Sequence, residues 1–207
     1  MTSNSDPKPR GLIKDFIWVK ENSLTESFCK HVIKKFNDDP RKHDGCIGSK
    51  EHNRVDKSVK DTKDYNITRA KDWEEEDDTF FNALSIGMEE YMDYLYEINT
   101  NCVPNPNFKQ HDTGFKVQKY EAGGHYIWHH DWSMSYEPVA SRIFTFMWYL
   151  NTIKKDDEGY TEFADGTKIQ PKCGNLVLFP ATWTYLHRGY PPKVEKYVCN
   201  GWIHARP

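Results

Sequence analysis

Apolar residues recur every three or four positions in two segments of the N-terminal half. The first segment, SLTESFCKHVIKKFNDD, covers residues 23–39, and its spacing predicts a helix that Ser23 caps. The second runs from about Trp73 to Asn99, beginning with acidic residues that suit a helix N-terminus and continuing with apolar side chains at helical spacing. Both segments therefore predict amphipathic helices that bury one face.

The residues between these helices have no hydrophobic period. Residues 38–66 are rich in Lys, Asp and His, which predicts mostly loop or irregular surface. Long loops in compact domains are commonly functional, so this segment is a candidate lid over a substrate site. Residues 1–10 are polar and predict a loose tail.

The pattern changes after about residue 110, where prolines and asparagines end the helical period. Short segments rich in β-branched and aromatic residues follow, separated by Gly, Pro or Asp-Gly, and each predicts a strand. They are FKVQKY, HYIWHHDW, RIFTFMWYLN, TEFADGTKI, NLVLFP and EKYVCNGWIH.

Short strands preceded by helices predict an α+β, mainly β fold: an antiparallel sandwich or jelly roll buttressed on one side. We expect residues 1–110 to form the tail, the supporting helices and the charged loop. Residues 111–207 then form the β core, and the whole chain is one structural domain.

Composition narrows the function classes. The 207 residues carry a formal net charge of −3, which gives no electrostatic reason to expect binding to nucleic acid or to an acidic membrane. No stretch suits a signal peptide or a membrane span, so we expect a cytoplasmic protein. The five cysteines are odd in number and form no C-x-x-C pair, which argues against a disulfide framework. Nothing in the composition indicates an oligomeric state.

The segment HYIWHHDW carries the first candidate chemistry. In a strand alternate side chains share a face, so His129 and Asp131 are expected to point one way and His130 the other, toward Trp128 and Trp132. An imidazole and a carboxylate two residues apart can take neighbouring positions around a metal. The sequence therefore predicts that His129, and not its neighbour, is a ligand.

A third ligand must come from elsewhere in the β core. His187, which follows the apolar strand NLVLFP and an aromatic stretch, is the strongest candidate among the remaining histidines. Two histidines and one carboxylate leave coordination positions open, as in non-heme Fe(II) oxygenases. Lys196 is expected to point into the same barrel, where a buried ammonium needs an anion.

Several motifs in order now carry a family resemblance. Residues from about Phe115 to His204 resemble the catalytic domain of the Fe(II)- and 2-oxoglutarate-dependent dioxygenases, most closely the prolyl 4-hydroxylase-like group. The matching stretches are QKYEAGGHYIWHHDWS, RIFTFMWYLN, EGYTEF, IQPKCGNLVLFP and HRGYPPKVEKYVCNGWIH.

The resemblance implies a double-stranded β-helix, a jelly roll of the cupin type. It implies that His129, Asp131 and His187 are the catalytic Fe(II) ligands. It also implies that Lys196 binds 2-oxoglutarate with the hydroxyl groups of Tyr120 and Tyr149. The implied cofactors are Fe(II), 2-oxoglutarate and O2, with ascorbate as a further candidate, and the implied reaction hydroxylates a C–H bond and releases succinate and CO2.

The substrate expected from these features is a prolyl residue of a peptide or protein. Aromatic side chains near the expected iron suit a proline ring or an extended peptide, and an arginine suits a substrate carboxylate or backbone. The candidate substrate residues are Trp128, Trp132, Arg142 and Trp183. One alternative is hydroxylation of a small molecule or free amino acid. The alternative from another class is a non-catalytic, cupin-like metal-binding module, since the same ligands also suit zinc.

Overall fold

The computed structural model describes residues 13–48, 53–98, 101, 109–135 and 140–206. Both predicted helices form: α1 spans Glu26–Asp38 and α2 spans Glu74–Ile98. The cap of α1 differs from the prediction, because Thr25 Oγ1 accepts the hydrogen bond from Phe28 N at 3.2 Å. The Ser23 hydroxyl instead receives the indole N–H of Trp148 at 3.1 Å. In the described part of the chain, no helix is both long enough and apolar enough to cross a bilayer.

The described residues contain fifteen strands of two to eleven residues, and the pairings between them are antiparallel. In chain order they are β1 Trp18–Lys20, β2 His43–Asp44, β3 Cys46–Ile47, β4 Arg54–Val55, β5 Lys63–Asn66, β6 Lys109–Asp112, β7 Lys116–Tyr120, β8 Tyr126–His129, β9 Met134–Ser135, β10 Ala140–Tyr149, β11 Thr161–Phe163, β12 Lys168–Ile169, β13 Leu176–Pro180, β14 His187–Gly189 and β15 Lys196–Arg206.

Two sheets face each other. The larger has the order β1-β13-β10-β15-β7-β5-β2, with β6 beside β15 and β9 beside β10, and the smaller has the order β12-β11-β14-β8. Strands β3 and β4 form a separate pair. This mainly β, antiparallel architecture confirms the predicted jelly-roll class.

One face of the large sheet is apolar and the other is partly polar. Alternate residues such as Val117, Trp148 and Cys199 are fully buried in the main core, together with side chains of α1 and α2. The intervening residues face the small sheet, where Tyr149 and Val198 belong to a second, smaller cluster. The helices therefore support the sheet from behind, and its opposite face is available for a binding site.

The charged segment contains more structure than its composition predicts. Strands β2 to β5 lie within residues 38–66, and β5 pairs with β7 as part of the large sheet. Strand β1, also N-terminal, pairs with β13. The proposed division after residue 110 stays a prediction, but the large sheet takes strands from both sides of it. The polar tail at residues 1–10 lies outside the described residues.

Candidate metal centre and ligand pocket

A cavity of about 910 Å³ opens between the two sheets. Its walls come from β7, β10 and β15 of the large sheet, from β8 and β14 of the small sheet, and from residues within 43–66. The proposed lid segment thus lies along the cavity wall. That it opens and closes stays a hypothesis.

Strand pairing brings the three candidate metal ligands together in this cavity. His129 ends β8 and His187 begins β14, and the two residues are direct partners in the antiparallel register. Asp131 follows His129 by two residues. Its Oδ1 lies 3.8 Å from His129 Nε2, and its Oδ2 lies 3.7 Å from His187 Nε2. One donor atom from each residue lies within 4.8 Å of the others, a spacing that fits a single ion.

Backbone carbonyls orient both imidazoles. His129 Nδ1 lies 2.8 Å from the carbonyl oxygen of Ile127, and His187 Nδ1 lies 2.9 Å from that of Tyr185. A carbonyl oxygen only accepts hydrogen bonds, so each Nδ1 carries the hydrogen and each Nε2 lone pair faces the centre. This is the tautomer that a metal ligand needs.

The ionisation of the group also suits a divalent cation. Burial, with a further contribution from His187, lowers the pKa of His129 to about 3, so its imidazole is neutral at physiological pH. Burial alone would raise the pKa of Asp131, but the two histidines and the Thr145 hydroxyl reverse that effect and lower it. Thr145 Oγ1 donates to Asp131 Oδ2 at 2.8 Å. Two imidazoles that present their Nε2 atoms and one carboxylate fit Fe(II).

His130 departs from the sequence prediction. Strand β8 ends at His129, so strict alternation does not extend through the next three residues. His130 is exposed and lines the pocket together with Trp132, instead of packing on the opposite face of a continuous strand. His130 therefore lies close to the three candidate metal ligands and beside any ligand bound in the pocket.

Lys196 lies deep in the cavity beside Tyr120. The lysine is 1% exposed, its Nζ donates to the Gly159 carbonyl at 3.0 Å, and the ammonium lies 4.1 Å from the centroid of the Tyr120 ring. Burial lowers its pKa to about 7. No carboxylate among the described residues forms an ion pair with Lys196, so the cavity offers a cation without a protein anion.

The two tyrosines implied by the resemblance differ in position. Tyr120 lines the cavity beside Lys196. The Tyr149 hydroxyl instead donates to Thr161 Oγ1 at 2.7 Å and lies 3.3 Å from the Ile169 carbonyl. Thr161 lines the cavity and Tyr149 is buried behind it, so Tyr149 contacts the cavity wall through Thr161, and its role toward 2-oxoglutarate stays a prediction.

The four candidate substrate residues divide into two pairs. Trp132 and Arg142 line the cavity. Trp128 points outward, with the Arg188 guanidinium 4.7 Å from its ring, and Trp183 is 66% exposed. The structure places both of these tryptophans outside the cavity wall. Trp128 directly precedes His129 in β8, so strand alternation directs its side chain away from the metal ligands.

The sequence reasoning missed a buried polar network in the cavity wall. Lys60 Nζ donates to Asp64 Oδ2 at 2.6 Å, and the same oxygen accepts from Gln118 Nε2 at 2.9 Å. Thr62 Oγ1 donates to Asp64 Oδ1 at 2.7 Å. Alternation in FKVQKY was the available signal for part of this wall, because Gln118 and Lys116 share the face of Tyr120. No comparable pattern marks the charged segment.

Comparisons with known proteins agree with this geometry. The sequence profile of the 2OG-Fe(II) oxygenase superfamily matches residues 115–204, whereas no curated protein sequence matches the chain. The solved structures of similar fold include the following three. A viral collagen prolyl hydroxylase from Paramecium bursaria Chlorella virus-1, solved as a 2OG complex, is 19% identical with a TM-score of 0.60, and the match covers 95% of this chain and 100% of that one.

A Pseudomonas putida prolyl-4-hydroxylase is 16% identical with a TM-score of 0.63, covering 90% of this chain and 91% of that one. A prolyl hydroxylase from Trichoplax adhaerens, in complex with a hypoxia inducible factor oxygen degradation domain peptide fragment, is 18% identical with a TM-score of 0.67, covering 91% and 83%. At these identities the likeness shows the fold, a double-stranded β-helix.

Proposed function

We propose that this chain is a 2-oxoglutarate-dependent dioxygenase that hydroxylates a prolyl residue of a peptide or protein. Residues 115–204 match the profile of the 2OG-Fe(II) oxygenase superfamily, which supports the proposal. The observation that carries the proposal is the presence of a His-Asp-His group and a buried lysine in one cavity. A metal-storage module has no use for that lysine. Burial of the lysine ammonium is unfavourable unless a ligand carboxylate pairs with it.

The chain's own residues would act by binding and orientation. His129, Asp131 and His187 would hold Fe(II), and Lys196 would take the distal carboxylate of 2-oxoglutarate beside the Tyr120 ring. When bound, iron and 2-oxoglutarate together supply the activation of O2 that oxidises a substrate C–H bond and yields succinate and CO2. The backbone carbonyls behind both imidazoles keep the ligand set preorganised.

The substrate end of the cavity supports a prolyl substrate. Trp132, Tyr126 and Trp202 present aromatic surface along the wall, which suits a pyrrolidine ring. Arg142 Nη1 donates to the Asp131 carbonyl at 3.1 Å, which fixes the guanidinium beside the metal centre and within reach of a substrate carbonyl or carboxylate. Three structures of similar fold are prolyl hydroxylases, and one of them holds a peptide.

The first test is formation of succinate from 2-oxoglutarate under air with added Fe(II). Wild-type protein should form succinate, and the variants His129→Ala, Asp131→Ala and Lys196→Ala should not. His125→Ala is a matched control, because this histidine lies on the same segment but does not line the cavity. Equal rates in all five proteins would overturn the proposal.

The second test identifies the substrate. Proline-containing peptides incubated with the active enzyme should gain the mass of one oxygen on the prolyl residue, as measured by tandem mass spectrometry. A gain of oxygen on free amino acids or other metabolites, with none on peptides, would replace the prolyl substrate by the small-molecule alternative.

A further inference from the structure

The described lining of the cavity contains more positively charged residues than carboxylates. Among the described lining residues, four carry positive charge and two carry negative charge. Lys60 and Asp64 neutralise each other at 2.6 Å, and both are buried. Asp131 belongs to the metal site and Lys196 to the cosubstrate site. Lys116 and Arg142 are the two positively charged lining residues left without a negatively charged partner in this account.

Lys116 is poorly satisfied by the protein. Its side chain is about three-quarters buried, and its nearest carboxylate oxygen, Asp64 Oδ2, lies 3.8 Å away. That oxygen already accepts hydrogen bonds from Lys60 and Gln118. Among the described residues Lys116 Nζ has no hydrogen-bond acceptor, although an ammonium carries three donors.

One further donor beside the Trp202 indole also lacks an acceptor. The Nε of Arg142 is buried without a hydrogen-bond partner in the described part of the chain, whereas the Trp202 indole N–H faces the Asp131 carboxylate and lowers its pKa. The Arg142 guanidinium lies 3.7 Å from the centroid of the Trp202 ring, and Lys116 Nζ lies 5.3 Å from it. Buried donors without partners are rare in folded proteins, so their convergence on one side of the cavity indicates a ligand rich in acceptors.

The strand register supplies a complementary group. Asn200 of β15 is the direct partner of Lys116 in the pairing with β7, and its buried Oδ1 has no donor among the described residues. A ligand that carries a carboxylate and an N–H group would satisfy both kinds of atom. A peptide or an amino acid has these groups, whereas an uncharged apolar ligand has neither.

We propose that the substrate carries a carboxylate close to the hydroxylated residue and that Lys116 binds it, with Arg142 as an additional donor. This inference rests on the proposed function, because it assumes that this end of the cavity holds the substrate. The carboxylate belongs either to an acidic side chain next to the reacting residue in a peptide or to the α-carboxylate of an amino acid. In both cases Lys116 determines specificity.

Equilibrium binding tests the inference independently of turnover. The probes are capped peptides with one proline that is preceded or followed by Glu, the same peptides with Gln at that position, and free L-proline beside L-prolinamide. Each is titrated by calorimetry without O2 into the enzyme loaded with Fe(II) and 2-oxoglutarate. We expect at least one carboxylate probe to bind about ten- to a hundredfold more tightly than its amide.

Three variants attribute the preference to Lys116. Lys116→Gln should abolish the preference for the carboxylate probe and leave the affinity for its amide unchanged, whereas Lys116→Arg should retain it. Lys119→Gln is the matched control, because Lys119 is on the same strand but pairs with Glu121 and Glu195 outside the cavity. A preference that survives in Lys116→Gln, or carboxylate probes that bind no better than their amides, would overturn the inference.

Turnover of the same probes separates the two proposals. If carboxylate probes bind preferentially but gain no oxygen on proline, the prolyl function fails while the carboxylate site stands. If Glu and Gln peptides are hydroxylated with equal kcat/KM, the prolyl function stands and the carboxylate site fails.

Discussion

The affinity for 2-oxoglutarate should fall as the pH rises through 7, because Lys196 must be protonated to bind a carboxylate. In the protein without cosubstrate, burial lowers the pKa of this lysine to about 7, and its hydrogen-bond acceptor, the Gly159 carbonyl, is uncharged. The ammonium form is therefore complete well below pH 7 and is lost above it. Bound 2-oxoglutarate stabilises the ammonium, so binding takes up a proton at higher pH.

The expected magnitude follows from this pKa. With half of the lysines protonated at pH 7, roughly one in eleven is protonated at pH 8 and about one in a hundred at pH 9. The dissociation constant should therefore rise by roughly a hundredfold between pH 6 and pH 9. At pH 8, where the free lysine is mostly neutral, each binding event should take up close to one proton.

Isothermal titration calorimetry can measure both quantities in protein loaded with Mn(II), a metal that prevents turnover. Titrations in two buffers of different ionisation enthalpy give the proton uptake directly. Lys196→Arg is the control, because guanidinium remains charged over the whole range and should give an affinity that does not change with pH. A flat pH profile and no proton uptake in the wild-type protein would refute the argument that burial makes the free lysine partly neutral.

Three further predictions, made with four substitutions, concern other parts of the structure. His129→Ala should abolish binding of Fe(II), measured by metal titration without O2, whereas His130→Ala should leave it largely intact; the reverse result would show that the wrong histidine was assigned. Thr145→Val should weaken metal affinity by about ten- to a hundredfold by removing the hydroxyl that holds the carboxylate ligand, and unchanged affinity would contradict that role. Gly201→Ala places a Cβ in steric conflict with the Gly114 carbonyl oxygen. The free energy of unfolding of this variant, measured in urea, should therefore be about 1–3 kcal/mol lower than that of the wild-type protein. Unchanged stability would show that the strands can separate at this position.

The sequence predicted those elements whose burial is one-sided and apolar. The helical period of α2 predicted its bounds to within one residue at each end, because its buried residues, such as Phe80, Leu84 and Tyr91, follow that period. The long strands β10 and β15 were equally visible. The helix-facing side of β10 is a row of large apolar side chains, Phe144, Phe146 and Trp148, and β15 adds Tyr197 and Ile203 to the same core.

Strand β5 was not visible because its buried side chain is an aspartate. Asp64 is 2% exposed, and it is tolerated because Lys60, Thr62 and Gln118 satisfy its oxygens. Three of these four residues lie in the charged segment, where their polarity removes the hydrophobic period that normally marks a strand. A sequence of this kind looks like loop although it forms part of a sheet.

The end of β8 was hidden for a different reason. Local alternation assigned His129 and Asp131 to one face, and the structure does place both in the cavity. Alternation also assigned His130 to the opposite face, which is wrong because the strand ends at His129. The Asp131 carboxylate is positioned by a hydrogen bond from Thr145 on β10, in the other sheet, and a contact between sheets cannot be inferred from spacing within one strand.

Strand β7 shows how the fold separates stability from chemistry. Val117 is fully buried in the helix-supported core, whereas Lys116, Gln118 and Tyr120 face the cavity. Substitutions on the cavity side can therefore change ligand preference without opening the main core. Gln118 is the exception, because it supports the buried Asp64 carboxylate, and its loss would leave that charge less well satisfied. The specificity of this cavity can thus vary at Lys116 while the polar network beside it holds the wall in place.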